Sequence, residues 1–351
     1  MFITSFGEQN ITYKCCSNFL IHLFKHSLGY YMCLMLSNDN ESKVLIDVDQ
    51  FIQSIYKTEL NETLFKNILN DLVPKFKAVY KLHLKYSESI CVFKRMVCSL
   101  DKILLGHKSI DDLSNFELRY LWNNALAYSQ DVNLEFLGFK YQEKRNRNGL
   151  EEYLIQLTKH YSKLLFIRID LSIALDHQHE VGIEQFNHYL RIFINRIQNQ
   201  DTCFKDLQGY AWAIEQGEKK GYHCHVLLIY DGHKHQKDFG MAIQVGQCWT
   251  KITEGKGYVF TSNSPEYKER FNQKGILGIG MIYRNKPEQV QNAINAAIYL
   301  VNPEKDNQYL RVKTQGMRSF GKAQYEIDRR RGCIVNTLKE YDGFSLCEAY
   351  P

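Results

Sequence analysis

Apolar residues follow two different periods along the chain, and the change falls near residue 150. From Val48 to Tyr56, Glu62 to Leu72 and Phe76 to Tyr86 they recur at three- and four-residue intervals with polar residues between, the spacing of amphipathic helices. Pro74 is expected to separate the last two. Ser87 to Leu105 and Ser114 to Tyr128 continue the pattern, so residues 1–150 read as a mostly helical region. Lys140 to Gly149 (KYQEKRNRNG) is charged, poor in apolar residues and closed by glycine, which makes it the expected linker.

The second half alternates. Leu164–Leu171 is rich in β-branched and aromatic residues and reads as a strand. Gly182–Ile197 returns to helical spacing. Tyr210–Ile214 and Tyr222–Tyr230 read as paired strands around the turn residues of QGEKKG. A helix over Lys237–Lys251, short strands over Gly257–Thr261 and Leu277–Tyr283, and a helix from Glu288 to Asn302 between Pro287 and Pro303 complete the order. This succession predicts an α+β fold with an antiparallel, ferredoxin- or RRM-like sheet and helices on one face. The expected divisions are a helical region at 1–150, an α+β domain at 151–335 and a tail at 336–351.

The most informative stretch is the central hairpin, GYAWAIEQGEKKGYHCHVLLIYDG, residues 209–232. His223 and His225 lie two apart in a strand, so both rings project from one face about 7 Å apart along the chain. Symmetry about Lys219 places Glu215 opposite His223 and Ala213 opposite His225, a carboxylate beside two imidazoles with a small neighbour leaving room. Two neutral imidazoles and a carboxylate leave coordination positions open on a divalent ion, Mg²⁺ or Mn²⁺, that can act as a Lewis acid on phosphate oxygens. Asp170 is the competing acid, with a strand-end role the simpler reading. His177 and His179, and His233 and His235, have polar middle residues and loop settings, and read as solvated.

Charge and cysteine usage narrow the setting. A net charge of +5 permits a nucleic-acid partner without demanding one. The ten cysteines include no Cys-x-x-Cys pair, which argues against a thiolate zinc site. No stretch approaches the ~18–20 apolar residues of a membrane span, and a cytoplasmic protein with reduced thiols is expected. Tyr299 stands with Asn292 and Asn295 on the polar side of the last helix, away from Val290, Ile294 and Ile298, and is the candidate nucleophile. Beyond it, Arg311, Lys313, Arg318, Phe320 and Lys322 mix cations with an aromatic, the composition of a track that grips phosphates and stacks bases.

Three segments carry a family resemblance: WAIEQGEKKGYHCHVLLIYDG at 212–232, AAIYLVNPEKDNQYLRVK at 296–313 and GMRSFGKAQ at 316–324. They resemble the replication-initiator-like proteins of filamentous phages and prophages, the inovirus gene-two-type family that includes the YagK/YfjJ C-terminal domain. The resemblance covers about residues 160–330 and implies an HUH-type rolling-circle initiator. Such an enzyme nicks single-stranded or origin DNA through a tyrosine, becomes joined to the 5′ phosphate and leaves a 3′ hydroxyl for a polymerase, alongside a host helicase or other replication proteins. It implies metal binding by His223 and His225 and a nucleophilic Tyr299. The usual Tyr-x-x-Lys is broken here by Asn302, so Lys305 is the nearest lysine for that role. Two rival readings are a non-catalytic DNA-binding regulator and a metal-dependent hydrolase that uses bound water.

Overall fold

Val44, Val48, Phe51 and Ile55 are spaced to face one direction on a helix. In the computed structural model, which describes residues 40–105, 108–301 and 308–325, they do so on α1 (Glu41–Ile55), opened by the Asn40 side chain accepting from the Ser42 N–H. Helix α2 (Glu62–Val79) runs through Pro74 where the sequence suggests two helices. Its stripe of Phe65, Leu69, Leu72, Val73 and Phe76 stays in phase across the proline and is buried throughout, so packing outweighs the lost N–H. Strand β1 (Lys85–Tyr86), α3 (Glu88–Ile103) and α4 (Asn115–Leu126) follow.

The expected linker is no linker. Lys140–Gly149 is the middle of α5 (Ser129–His160), and the boundary expected at residue 150 falls inside this helix. Val132 near one end and Leu150, Tyr153, Leu154 and Leu157 near the other are buried. The charged centre has no core to meet, so its lack of apolar residues marks a solvated helix rather than a loop.

The chain then enters the sheet through β2 (Lys163–Ile173), α6 (Ile183–Gln198), β3 (Leu207–Gly217), β4 (Gly221–Asp231), α7 (Asp238–Ile252) and β5 (Gly257–Thr261). Helix α8 (Pro265–Asn272), β6 (Gly280–Tyr283), α9 (Pro287–Ile298), β7 (Val312–Lys313) and β8 (Phe320–Lys322) follow. The strand order is β5–β2–β4–β3–β8, with β6 also on β2 and every pairing antiparallel. The β-α-β-β-α-β succession with β2 and β4 at the centre is the ferredoxin-like arrangement.

Alternation along β2 and β4 builds two different faces. Ile167, Ile169, Val226 and Leu228 join Phe186 and Phe193 of α6 and Trp249 of α7 in one core, which extends without a break to Phe51, Phe65 and Trp122 of the amino-terminal helices. The helical region and the sheet therefore share their interior. The opposite face carries Phe166, Ala211, Leu227 and Ile229 under Leu154 of α5 and Ile294 of α9. Helices thus cover part of both faces, because this face is apolar at one end; its other end bears charged and imidazole side chains.

The outer neighbour of β2 changes along its length. Lys163–Phe166 pairs with β6 and Ile169–Ile173 with β5. Between them the Asn263 side chain stands in for a strand, accepting from the Arg168 N–H (2.8 Å) and donating to the Phe166 carbonyl (3.0 Å). The break holds Arg168 at a gap in the sheet edge.

Buried polar contacts tie α1 to the sheet. Glu41 Oε1 accepts from the Ile183 N–H at the start of α6 (2.7 Å) and from the Tyr222 hydroxyl (2.8 Å). Gln216 Nε2 donates to the Ser42 carbonyl (3.0 Å). Arg311, 1% exposed, donates from Nε to Asp49 Oδ2 (2.8 Å), which also accepts from Tyr309 (2.7 Å). Among the described residues no helix is long and apolar enough to cross a membrane. Asp49→Ala should destabilise the fold by about 3–5 kcal/mol, because it leaves the Arg311 charge buried without its carboxylate. Urea unfolding tests this, and a loss below about 0.5 kcal/mol, the scale of an ordinary surface substitution, would mean that the pair does not hold α1.

Candidate metal centre and its cleft

The β3–β4 turn fixes the centre. Gly217 pairs with Gly221, and the register continues as Glu215 opposite His223 and Ala213 opposite His225, the pairing that symmetry about Lys219 predicts. Gly221 has φ +60°, a left-handed value that suits glycine, and its carbonyl lies 3.1 Å from His223 Nδ1. On the other side of β4, β2 sets Asp170 beside His225 and Ser172 beside His223.

Tautomers follow from these partners. A carbonyl only accepts, so His223 Nδ1 donates to Gly221. His225 Nδ1 donates to Asp170 Oδ1 at 2.5 Å. Both Nε2 atoms then turn to Glu215 Oε2, at 3.4 Å from His223 and 3.1 Å from His225. In neutral rings these are three acceptors facing one another, which a proton or a cation must reconcile. Metal bonds of about 2.1 Å would set neighbouring ligand atoms about 3.0 Å apart in an octahedron and about 3.4 Å apart in a tetrahedron. The two Glu215–imidazole spacings fit. All three side chains are buried, and they are the one His/Cys/Asp/Glu group with metal-ligand spacing among the described residues. An imidazole whose second nitrogen donates to a carboxylate or a carbonyl is the usual outer support of a metal ligand, and both histidines have it.

Asp170 is therefore part of the site and not the strand-end residue of the simpler reading. Burial pushes its carboxyl up, but the His225 hydrogen bond and charge, with Lys220 and Arg168 beyond, outweigh burial and hold it well below the usual carboxylate range. Burial pushes His225 down, and its bonds to Asp170 and Glu215 outweigh that and raise it above 6.5.

The centre opens into a cleft of about 640 Å³ whose walls include Arg168, Lys219, Lys220, Phe260, Tyr267 and Tyr299. Helix α1 contributes Ile46 and Gln50. Tyr299 begins the 3₁₀ turn Tyr299–Val301 that ends α9, where the sequence suggests α-helix to Asn302. It is 52% exposed, and the Arg168 guanidinium carbon lies 5.2 Å from its ring centroid. The cleft thus unites His223, His225 and Tyr299, three of the residues picked out by sequence, while Glu215, outside its walls, meets both imidazoles from β3.

The remaining candidates disperse. Lys305 lies outside the described residues. Arg311 is a buried structural cation rather than a phosphate contact, because Asp49 neutralises it in the interior. Lys313 Nζ lies over the Phe139 ring at 5.7 Å, and burial lowers its pKa. Lys322 Nζ lies over the Tyr153 ring at 4.9 Å, and Phe320 packs against the second core. Of the five track residues only Arg318 is exposed. His177 Nδ1 meets Glu180 (2.9 Å) and His233 Nε2 meets Ser162 (2.9 Å), both away from the centre. Arg168 and Lys220 were not legible as site residues, although Arg168 and Asp170 at positions i and i+2 of an apolar strand are a sign of a shared polar face.

Mn²⁺ at a hundred times its dissociation constant should stabilise the protein by about 2.7 kcal/mol. His223→Ala or His225→Ala should erase the effect, and Asp170→Asn should weaken Mn²⁺ affinity by about 10–100-fold; a wild-type melting curve indifferent to divalent ions would remove the metal. In chelator, His225 adds stability that is fully present below pH 6.5, the ordinary imidazole value, and is lost as pH rises through its raised folded value. Urea midpoints should therefore fall above pH 6.5 in wild type relative to His225→Ala, while Mn²⁺ affinity rises over the same range because the ligand must be neutral.

No curated protein and no solved structure matches the chain. A family model described as the YagK/YfjJ C-terminal domain matches residues 139–323, just over half of the chain, and takes in α5 from Phe139 onwards, the six-stranded sheet, the candidate metal centre and Tyr299. The chain belongs to the YagK/YfjJ C-terminal domain family.

Proposed function

We propose that this protein is a single-strand DNA nickase of the HUH type, a phage- or plasmid-like rolling-circle initiator that acts by tyrosine transesterification. The observation that carries the reading is that both histidines of a two-histidine, one-carboxylate centre line the same solvent-open cleft as an exposed phenol and a guanidinium. His223, His225 and Glu215 would hold Mg²⁺ or Mn²⁺, which when bound supplies Lewis-acid stabilisation to phosphate oxygens.

The Tyr299 oxygen attacks the phosphorus of a phosphodiester, the new Tyr–O–P bond forms, and the P–O3′ bond breaks. The phenolic proton passes to solvent and the departing 3′ oxygen takes one up, leaving a 5′-phosphotyrosine and a free 3′ hydroxyl. Arg168 supports the anion beside the phenol, a task for which the sequence offers no lysine at position 302. Asp170 keeps His225 turned towards the metal position, and Lys219 and Lys220 add positive charge at the rim.

Incubation of labelled single-stranded oligonucleotides with the protein and Mn²⁺, followed by denaturing electrophoresis, should give a labelled band at protein mass. Tyr299→Phe should abolish it, and Arg168→Gln should slow its formation about a hundredfold. A band that persists in Tyr299→Phe would move the nucleophile elsewhere. Cleavage without an adduct would replace the tyrosine with bound water, and binding without cleavage would make the protein a DNA-binding regulator.

A further inference from the structure

The cleft does not end at Tyr299. Adjoining it lies a second cavity of about 540 Å³, which shares Arg168, Ser262, Tyr267 and Tyr299 with the first. One wall is aromatic: Tyr267 and Phe271 of α8 have ring centroids 4.9 Å apart and tilted planes. The facing wall is the polar side of α9, with Asn292 and Asn295 one turn apart. Asn292 Nδ2 donates to the Gly275 carbonyl (2.9 Å) and Asn295 Oδ1 accepts from Gln291 (3.0 Å). Those bonds leave Asn292 Oδ1 as an acceptor and Asn295 Nδ2 as a donor along the same wall. Gly278 closes the cavity against α9, since a Cβ there would meet the Asn292 carbonyl at 2.1 Å. At the junction Arg168 spends Nη1 on the Ala296 carbonyl (3.2 Å), and its Nε is buried without a hydrogen-bond partner.

An aromatic wall, a pair of one donor and one acceptor on α9, and a guanidinium shared with the first cavity together match a nucleobase followed by its phosphate. We propose that this second cavity is a base-reading subsite: the base of the nucleotide next to the phosphate at Tyr299 is inserted against Tyr267 and Phe271 and hydrogen-bonded at its edge by Asn292 and Asn295, while Arg168 holds the intervening phosphate. The inference rests on the reading of the main cleft as a single-stranded DNA site. Only an unpaired, unstacked base can present both a face and an edge to such a cavity, so the subsite selects single strands and gives the nick a sequence preference.

The test uses the full-length protein with Mn²⁺ and labelled oligonucleotides of one length: oligo-dT, oligo-dA, oligo-dC and a fully abasic strand, with affinities measured by fluorescence anisotropy. Wild type should spread roughly tenfold or more between the best base and the abasic strand, the scale of one stacked and hydrogen-bonded base. Asn292→Ala/Asn295→Ala should compress that spread to about threefold or less with abasic affinity unchanged. Asn295→Asp, which exchanges a donor for an acceptor at an exposed position, should change which base is preferred, an outcome that a merely structural residue would not give. Arg168→Gln should weaken every strand alike, the abasic one included. Equal wild-type binding of abasic and base-bearing strands, no binding of any strand, or an unchanged spread in the asparagine variants would overturn the subsite. A spread that the variants remove in a protein that forms no adduct would keep the subsite and reject the nickase. An adduct without a spread would do the reverse.

Discussion

A slip of one residue between β3 and β4 would turn His223 and His225 into the packed face and Cys224 into the cleft, because strand side chains alternate with a period of two. The structure resists this from both sides of the sheet. Cys224, Val226, Leu228 and Tyr230 are wholly or almost wholly buried in the main core, while the imidazoles would lose the Gly221, Asp170 and Glu215 partners on which their burial depends. A second register, β2 against β4, sets Asp170 beside His225, so the candidate ligands and one of their outer supports are set by the two pairings that flank β4. The left-handed Gly221 makes the turn that commits the chain to the β3–β4 pairing.

Burying so much charge at one end of a sheet is costly unless each group is paired, and the chain meets that cost with separate arrangements. Asp170 is matched by His225 and Lys220, Glu41 by a helix N-terminus and a tyrosine, and Asp49 by Arg311 and Tyr309. Two of the three carboxylates belong to α1, and their partners lie on β4, on α6 and just ahead of β7. The amino-terminal helices are thereby fastened to the end of the sheet that carries the centre, and Ile46 and Gln50 become part of its wall. A separate helical domain joined by a linker would leave that wall missing.

The hairpin was legible because everything it needs is local: two histidines two apart, a glycine-rich turn, and an acid at the mirror position. The ferredoxin-like order followed from the sequence of elements. What escaped depends on distant partners. Arg311 reads as a surface cation in its own segment, and only the fold brings Asp49 beneath it from 262 residues away. The α5 linker reading failed because a solvated helix and a loop have the same composition. Asp170 was undervalued because its role depends on which strand lies next to β2, and Arg168 because the break in the sheet edge is made by Asn263, far along the chain. The basic track was weighted by composition, which does not say which cations face water: only Arg318 of its five residues does.

The two halves of the cleft differ in rigidity, and the difference suits the proposed chemistry. Glu215, His223 and His225 stand on a central strand or pair directly with it, bonded on every side, so the geometry of the candidate metal centre is set in advance and the proposed reaction would need no reorganisation there. Tyr299 stands instead at the end of a helix, half in solvent, in a 3₁₀ turn. A nucleophile that must carry a DNA strand on its oxygen needs room on its outer side and a fixed charge on its inner side. The Asn263 bridge provides the second: by holding the β2 backbone at the gap between β5 and β6, it keeps Arg168 beside the phenol without a neighbouring strand in the way. A lysine three residues beyond the tyrosine would come from the tyrosine's own segment; Arg168 comes instead from β2, the strand that also carries Asp170. The cation that would serve the tyrosine in the proposed reaction is thus tied to the strand that also carries Asp170, so the guanidinium beside the phenol and the orientation of His225 are set by the same few residues of β2.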